Sequence, residues 1–94
     1  MERLDLIFSE RELDKVLAAV DACGAPGYSV MRHITGKGRN GLVVSEDSEI
    51  AGGGTNVHML LFCEPAIAES VAQEVRKIFE YYGGVGFRAK ASAI

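Results

Sequence analysis

Seven residues, Val57-His-Met-Leu-Leu-Phe-Cys63, do most to limit what this chain can fold into. The run is almost continuously apolar but too short for a helix, which suits a central strand. Two amphipathic stretches flank it. Leu13, Val16, Leu17 and Val20 recur at i, i+3, i+4 and i+7, and Ile67, Val71, Val75, Ile78 and Tyr82 follow helical spacing at i, i+4, i+8, i+11 and i+15, so each stretch carries one apolar stripe. The chain therefore needs a sheet with helices laid on it.

Local signals set the borders of these elements. Ser9-Glu10-Arg11-Glu12 matches a capping box, with the serine accepting from an amide three residues on and Glu12 reaching back to the serine amide. The first helix then stops near Ala22 or Cys23, before Gly24 and Pro26. Pro65, following Glu64, opens the second helix at the position where a missing amide donor is harmless, and Gly83-Gly84 ends it. Three more strands come from alternation and composition: Arg3 to Phe8, Tyr28 to Ile34, and Phe87 to Ile94. The order β-α-β-β-α-β predicts an α+β, ferredoxin-like fold, a four-stranded antiparallel sheet with two helices on one face.

With 94 residues the chain is expected to be one domain, residues 1–94. A core of that size is modest, so burial at a subunit interface would add stability. The net charge of -3 gives no broad basic field and argues against nucleic acid as a partner. No apolar run reaches the roughly 18 residues of a membrane span, and Met-Glu-Arg-Leu-Asp does not read as a signal peptide. A cytoplasmic protein without direct membrane insertion is expected.

Chemistry concentrates at Thr35-Gly-Lys-Gly-Arg-Asn40, directly after the second strand. Gly36 and Gly38 allow a sharp turn and close approach of the backbone to a ligand, while Lys37 and Arg39 answer negative charge, the outline of a phosphate cradle. The competing reading is a hairpin turn with solvated charges. Gly41 to Thr55 follows, rich in glycine and small or acidic residues, and reads as a long mobile loop hinged at Gly52-Gly53-Gly54. Cys23 and Cys63 have no metal-ligand spacing and read as reduced, largely buried residues. His33 and His58 lack a paired acid or nucleophile in the sequence and read as ordinary strand residues.

Gly24-Ala-Pro-Gly27-Tyr-Ser-Val30 leading into Gly36-Lys-Gly-Arg-Asn40, then a long loop, an apolar third strand and a glycine turn after the second helix, together resemble the P-II signalling proteins. The resemblance is nearest to the compact P-II-like proteins associated with bicarbonate transporters and carboxysomes. It implies a homotrimer whose inter-subunit clefts bind adenine nucleotides and whose long loop engages a target protein such as a membrane transporter. By position, Gly36, Gly38 and Arg39 would take the phosphates, with Lys37 and Asn40 also among the nucleotide-binding residues. Gly27 and Ser29 would lie near the adenine or ribose, and Leu60 would pack by the base. Gly83, Gly84 and Arg88 would be donated across the cleft from the neighbour.

The lysine and proline usual after the family's first strand are absent, and its lysine-rich glycine loop is reduced to Tyr82-Gly-Gly-Val-Gly86. ADP or AMP is therefore expected in preference to ATP, with bicarbonate as a further candidate ligand. No conventional cofactor, metal or catalytic residue is implied. The expected role is regulation of bicarbonate uptake or of the carboxysome, with association to the latter. The alternatives are a trimeric ferredoxin-like enzyme or metal-responsive protein, which would need a clustered acid, base or ligand set, and an amino-acid-binding regulatory module.

Overall fold

Alternation decides the first strand, β1 (Glu2–Ser9), where Leu4, Leu6 and Phe8 are buried and Arg3, Asp5 and Ile7 face the other way. The structure, a computed structural model, describes residues 1–38, 41–42 and 55–94. After β1 come a 3-10 turn (Glu10–Glu12), α1 (Leu13–Ala22), β2 (Ser29–Ile34), a short hairpin of β3 (Lys37–Gly38) and β4 (Gly41–Leu42), β5 (Asn56–Cys63), α2 (Pro65–Tyr82) and β6 (Val85–Lys90).

The main sheet runs β2-β5-β1-β6 with every pair antiparallel, which is the ferredoxin-like arrangement the sequence predicts. The apolar run is a central strand, and its Val57, Met59, Leu61 and Cys63 are buried with Leu4, Leu6 and Phe8 of β1. Val16 and Val20 of α1 and Ala68, Val71 and Val75 of α2 close this core from one side. Among the described residues no helix lies on the other face of the sheet.

Several borders differ from the sequence reading for identifiable reasons. Ser9 caps the 3-10 turn, accepting from the Arg11 amide at 3.3 Å, an i to i+2 bond in place of the expected i to i+3 bond. Glu12 does not reach back to Ser9; its carboxylate accepts from Lys15 Nζ at 3.1 Å. The α1 terminus is as expected, with Gly24 at φ 81°. There the Gly24 amide donates to Asp21 and the Ala25 amide to Val20, the two bonds of a Schellman motif.

Expected over Phe87 to Ile94, β6 instead starts at Val85 and stops at Lys90. Its partner decides both ends, since Val85 pairs with Ile7 and Lys90 with Glu2, where β1 runs out. The predicted loop from Gly41 to Thr55 is also shorter. Gly41 and Leu42 pair back onto Gly38 and Lys37, and Thr55 is buried with its carbonyl accepting from the Glu10 amide at 2.8 Å. The rest of that expected mobile loop, 43–54, lies outside the described residues.

Candidate functional site

Pro26 fixes the backbone ahead of β2, and the register sets Ser29 beside Leu60 of β5. Gly27, Tyr28, Ser29, Leu60 and Phe62 thereby line an open cavity of about 300 Å³ at the β2 edge of the sheet. A Cβ built on Gly27 would meet nothing within 4 Å. Packing inside the protomer does not demand glycine there. The structure thus brings Gly27, Ser29 and Leu60 together.

Gly36, Lys37 and Gly38 lie past the far end of β2, about 17 Å along the strand at 3.3 Å per residue. Gly38 takes part in the β3–β4 hairpin, opposite Gly41, whereas Gly36 lies just before it. The hairpin reading therefore describes the backbone at Gly38 and not at Gly36. Arg39 and Asn40 lie outside the described residues.

Gly83 and Gly84 stand at this same end of the sheet, because Val85 pairs with Ile7 of β1, whose neighbour Ser9 lies opposite Asn56. They occupy the opposite edge. Three inter-strand spacings, about 14 Å, separate the β2 and β6 edges. Gly83 has φ 91° and Gly84 φ 135°, values open to glycine and rarely to other residues.

Arg88 sits lower on β6, opposite Leu4 and therefore on the helix-covered side. Its Nε donates to Glu2 Oε1 and its Nη1 to Glu69 Oε1, both at 2.8 Å. The Glu69 carboxyl is held below the usual carboxylate range, first by the hydrogen bond from Arg88. Arg88 thus braces β6 against β1 and α2, and two acids compensate its charge. Beside it, a cavity of about 400 Å³ opens between α2 and β6, floored by Leu4, Leu6, Val75 and Phe79.

Two polar clusters were not evident in the sequence. On the bare face, Asp5 accepts from Arg3 Nε at 2.9 Å and lies 2.8 Å from His58 Nε2. The Arg3 hydrogen bond is the main cause of a lowered Asp5 pKa, with burial opposing it and His58 helping. Near the glycine turns, Glu10 pairs with Arg32 and accepts from Thr55 Oγ1 at 2.7 Å. Both hydrogen bonds, Arg32's first, lower the Glu10 pKa. His33 Nδ1 stands 3.9 Å from Glu10 Oε1, so both histidines have acidic neighbours that spacing alone could not reveal. Among the described residues no group of three or more His, Cys, Asp or Glu side chains could hold a metal ion.

The geometry defines a ferredoxin-like domain with one bare sheet face and a glycine turn at each edge of one end. The family model for nitrogen regulatory protein P-II matches residues 1–92, and the chain belongs to that family. No curated protein sequence matches it. Among solved structures, it is similar to CPII, a nitrogen regulatory PII-like protein from Thiomonas intermedia K12, bound to ADP, AMP and bicarbonate. The TM-score is 0.81 at 17% identity, covering 94% of this chain and 82% of that one. A second structure of CPII, bound to ADP and bicarbonate, gives 0.79 at 17% identity over 94% and 82% of the two chains. The apo form of CPII gives 0.73 at 15% identity over 94% and 85%. At such identities the likeness establishes the fold.

Proposed function

We propose that the chain is a P-II-like regulator, without catalytic activity, that assembles as a homotrimer and binds adenine nucleotides in clefts between subunits. The observation that carries this reading is the position of the two glycine turns, at one end of the sheet but on opposite edges. A ligand held by both is best served when the β6 edge of one protomer closes on the β2 edge of the next. The base and ribose then sit by Gly27, Ser29 and Leu60, with the phosphates along Gly36, Lys37, Gly38, Arg39 and Asn40. Gly83 and Gly84 arrive from the neighbour. Arg88 joins them only by exchanging Glu2 and Glu69 for phosphate oxygens.

CPII was solved with ADP, AMP and bicarbonate, which supports ADP or AMP in preference to ATP here and bicarbonate as a second ligand. Nucleotide occupancy would be read out through residues 41–55 by a target protein such as a membrane transporter, in control of bicarbonate uptake or carboxysome function. Calorimetry against AMP, ADP, ATP and cyclic AMP, with and without bicarbonate, tests the reading, alongside light scattering for the assembly. Binding of ADP or AMP at one site per protomer in a trimer is expected. A monomer, or no heat with any adenine nucleotide at millimolar concentration, would overturn it.

A further inference from the structure

One carboxylate ties together the two stems between which residues 35–54 run. The Glu10 amide donates to the Thr55 carbonyl at 2.8 Å, and Glu10 Oε1 accepts from Thr55 Oγ1 at 2.7 Å. Glu10 Oε2 pairs with Arg32 Nη2. His33 Nδ1 stands 3.4 Å from Thr55 Oγ1 and 3.9 Å from Glu10 Oε1. Three elements meet here: the start of the 3-10 turn, the end of β2 and the entrance to β5.

Arg32 and His33 are also where β2 departs from regular pairing. The ladder with β5 runs Ser29 to Leu60, Val30 to Met59 and Met31 to His58, then resumes with Ile34 opposite Asn56. Two residues of β2 thus oppose Val57 alone, which is a β-bulge. His33 lies at φ 58°, the only positive φ outside glycine among the described residues. Such a backbone persists when its surroundings over-determine it, and Glu10 and Thr55 are part of those surroundings.

Because strand side chains alternate, one residue of register decides a face. A regular continuation from Met31 opposite His58 would set Ile34 opposite Thr55, on the helix-covered side. With the bulge, Ile34 stands opposite Asn56, on the bare face. Gly36, Lys37 and Gly38 leave the sheet from that register.

We infer that Glu10 is a register-setting residue. By holding Arg32, His33 and Thr55 together it maintains the bulge and so fixes how the Gly36–Gly38 backbone is presented to a ligand. It is a positioning residue and touches no ligand. Its effect on ligand binding rests on the nucleotide reading above, whereas its effect on register does not.

The test uses Glu10→Ala, Glu10→Gln and Arg32→Gln in the full chain, with two readouts. Cross-strand nuclear Overhauser contacts in the ligand-free protein report the register directly. Wild type should show Ile34 against Asn56, and Glu10→Ala should show Ile34 against Thr55 or a mixture of both. Calorimetry with ADP should then show affinity at least tenfold weaker, with thermal unfolding still cooperative. If Glu10→Ala does not fold, Glu10→Gln and Arg32→Gln remove the same ion pair from either side and should move the same contacts less. An unchanged Ile34 to Asn56 contact in all folded variants would overturn the inference. A shifted register with unchanged ADP affinity would overturn its link to the ligand. If wild type binds no adenine nucleotide yet the register moves, the nucleotide reading falls and register setting stands.

Discussion

Alanine at Gly84 and at Gly83 separates two reasons for the glycine turn that ends α2. Gly83 has φ 91° and ψ 162°, and a Cβ there would meet nothing within 4 Å. Only backbone strain opposes Gly83→Ala, roughly 1–3 kcal/mol. Gly84 has φ 135° as well as a steric barrier, since its Cβ would stand 2.6 Å from Phe79 Cδ1 and 2.9 Å from Cε1 and Cγ. The ring packs on the buried Phe8, with centroids 5.8 Å apart, and to make way it would have to give up that contact and swing toward the cavity between α2 and β6. Forcing a methyl into such packing adds about another 1–3 kcal/mol. The expected losses are therefore about 2 kcal/mol for Gly83→Ala and about 4 kcal/mol for Gly84→Ala, the mid-points of those ranges.

Urea unfolding at one fixed protein concentration measures both, since the proposed assembly would make the midpoint concentration-dependent. With a slope of about 2 kcal/mol per molar, the two variants should differ by about 1 M in midpoint. Adding Phe79→Leu to Gly84→Ala should recover the steric part and leave the strain. Equal midpoints for the two variants would show that the ring yields. Losses under about 0.5 kcal/mol, the scale of a neutral surface change, would remove the backbone argument as well. The comparison matters because Gly84 is also a candidate phosphate turn, and its glycine is already required by the protomer.

Three further outcomes are expected. Arg39→Ala should weaken ADP binding by about 1.5–3 kcal/mol, the range of a charge-assisted hydrogen bond to an anion; calorimetric affinity equal to wild type would make Arg39 a solvated charge. Asp5 and Glu10 both have lowered pKa values, so their contribution to stability is present above the ordinary carboxylate pKa of about 4 and lost as pH falls through the lowered values. Urea midpoints should hold from pH 7 to 5 and decline below about 4, with Asp5→Asn flattening part of the decline; a decline unchanged in that variant would exclude Asp5 from the effect. Phe87→Glu, on the bare sheet face, should convert the proposed trimer to monomers in light scattering while circular dichroism stays native, and a persistent trimer would place the interface elsewhere.

Much of the fold was legible because it depends on local period. The stripes of α1 and α2, the parity of β1 and the short apolar run required only neighbours in sequence, and they yielded the element order. What escaped was set by partners far along the chain. The end of β6 follows the length of β1, the bulge at Arg32 and His33 depends on Glu10 and Thr55, and the two carboxylates on Arg88 come from β1 and α2. For the candidate site, the β2-edge group of Gly27, Ser29 and Leu60 followed from strand pairing, whereas the relation between the two glycine turns needed the sheet order. No residue spacing encodes that order.

The polarity of β6 carries the argument for assembly furthest. An edge strand on a half-covered sheet ordinarily turns its apolar residues toward the helices and its charges to water. Here the opposite holds, with Arg88 and Lys90 on the helix side, opposite Leu4 and Glu2, and Val85, Phe87 and Ala89 on the bare face. Phe87 is 65% exposed there, and Ile7, Met31, Leu60 and Phe62 share that face. Arg88 stays exposed at the rim of the inner side, where Glu2 and Glu69 pair with it, so β6 carries an ion-pair brace beside an otherwise apolar wall. The bare face in turn has the composition of a surface awaiting cover, broken by the Arg3, Asp5 and His58 cluster, whose internal pairing lowers the cost of taking those charges out of water. Closing that face with further copies of itself would bury the apolar residues that β6 leaves outward and would bring each β6 edge toward a neighbour's β2 edge, so the same step that completes the core would complete the ligand cleft.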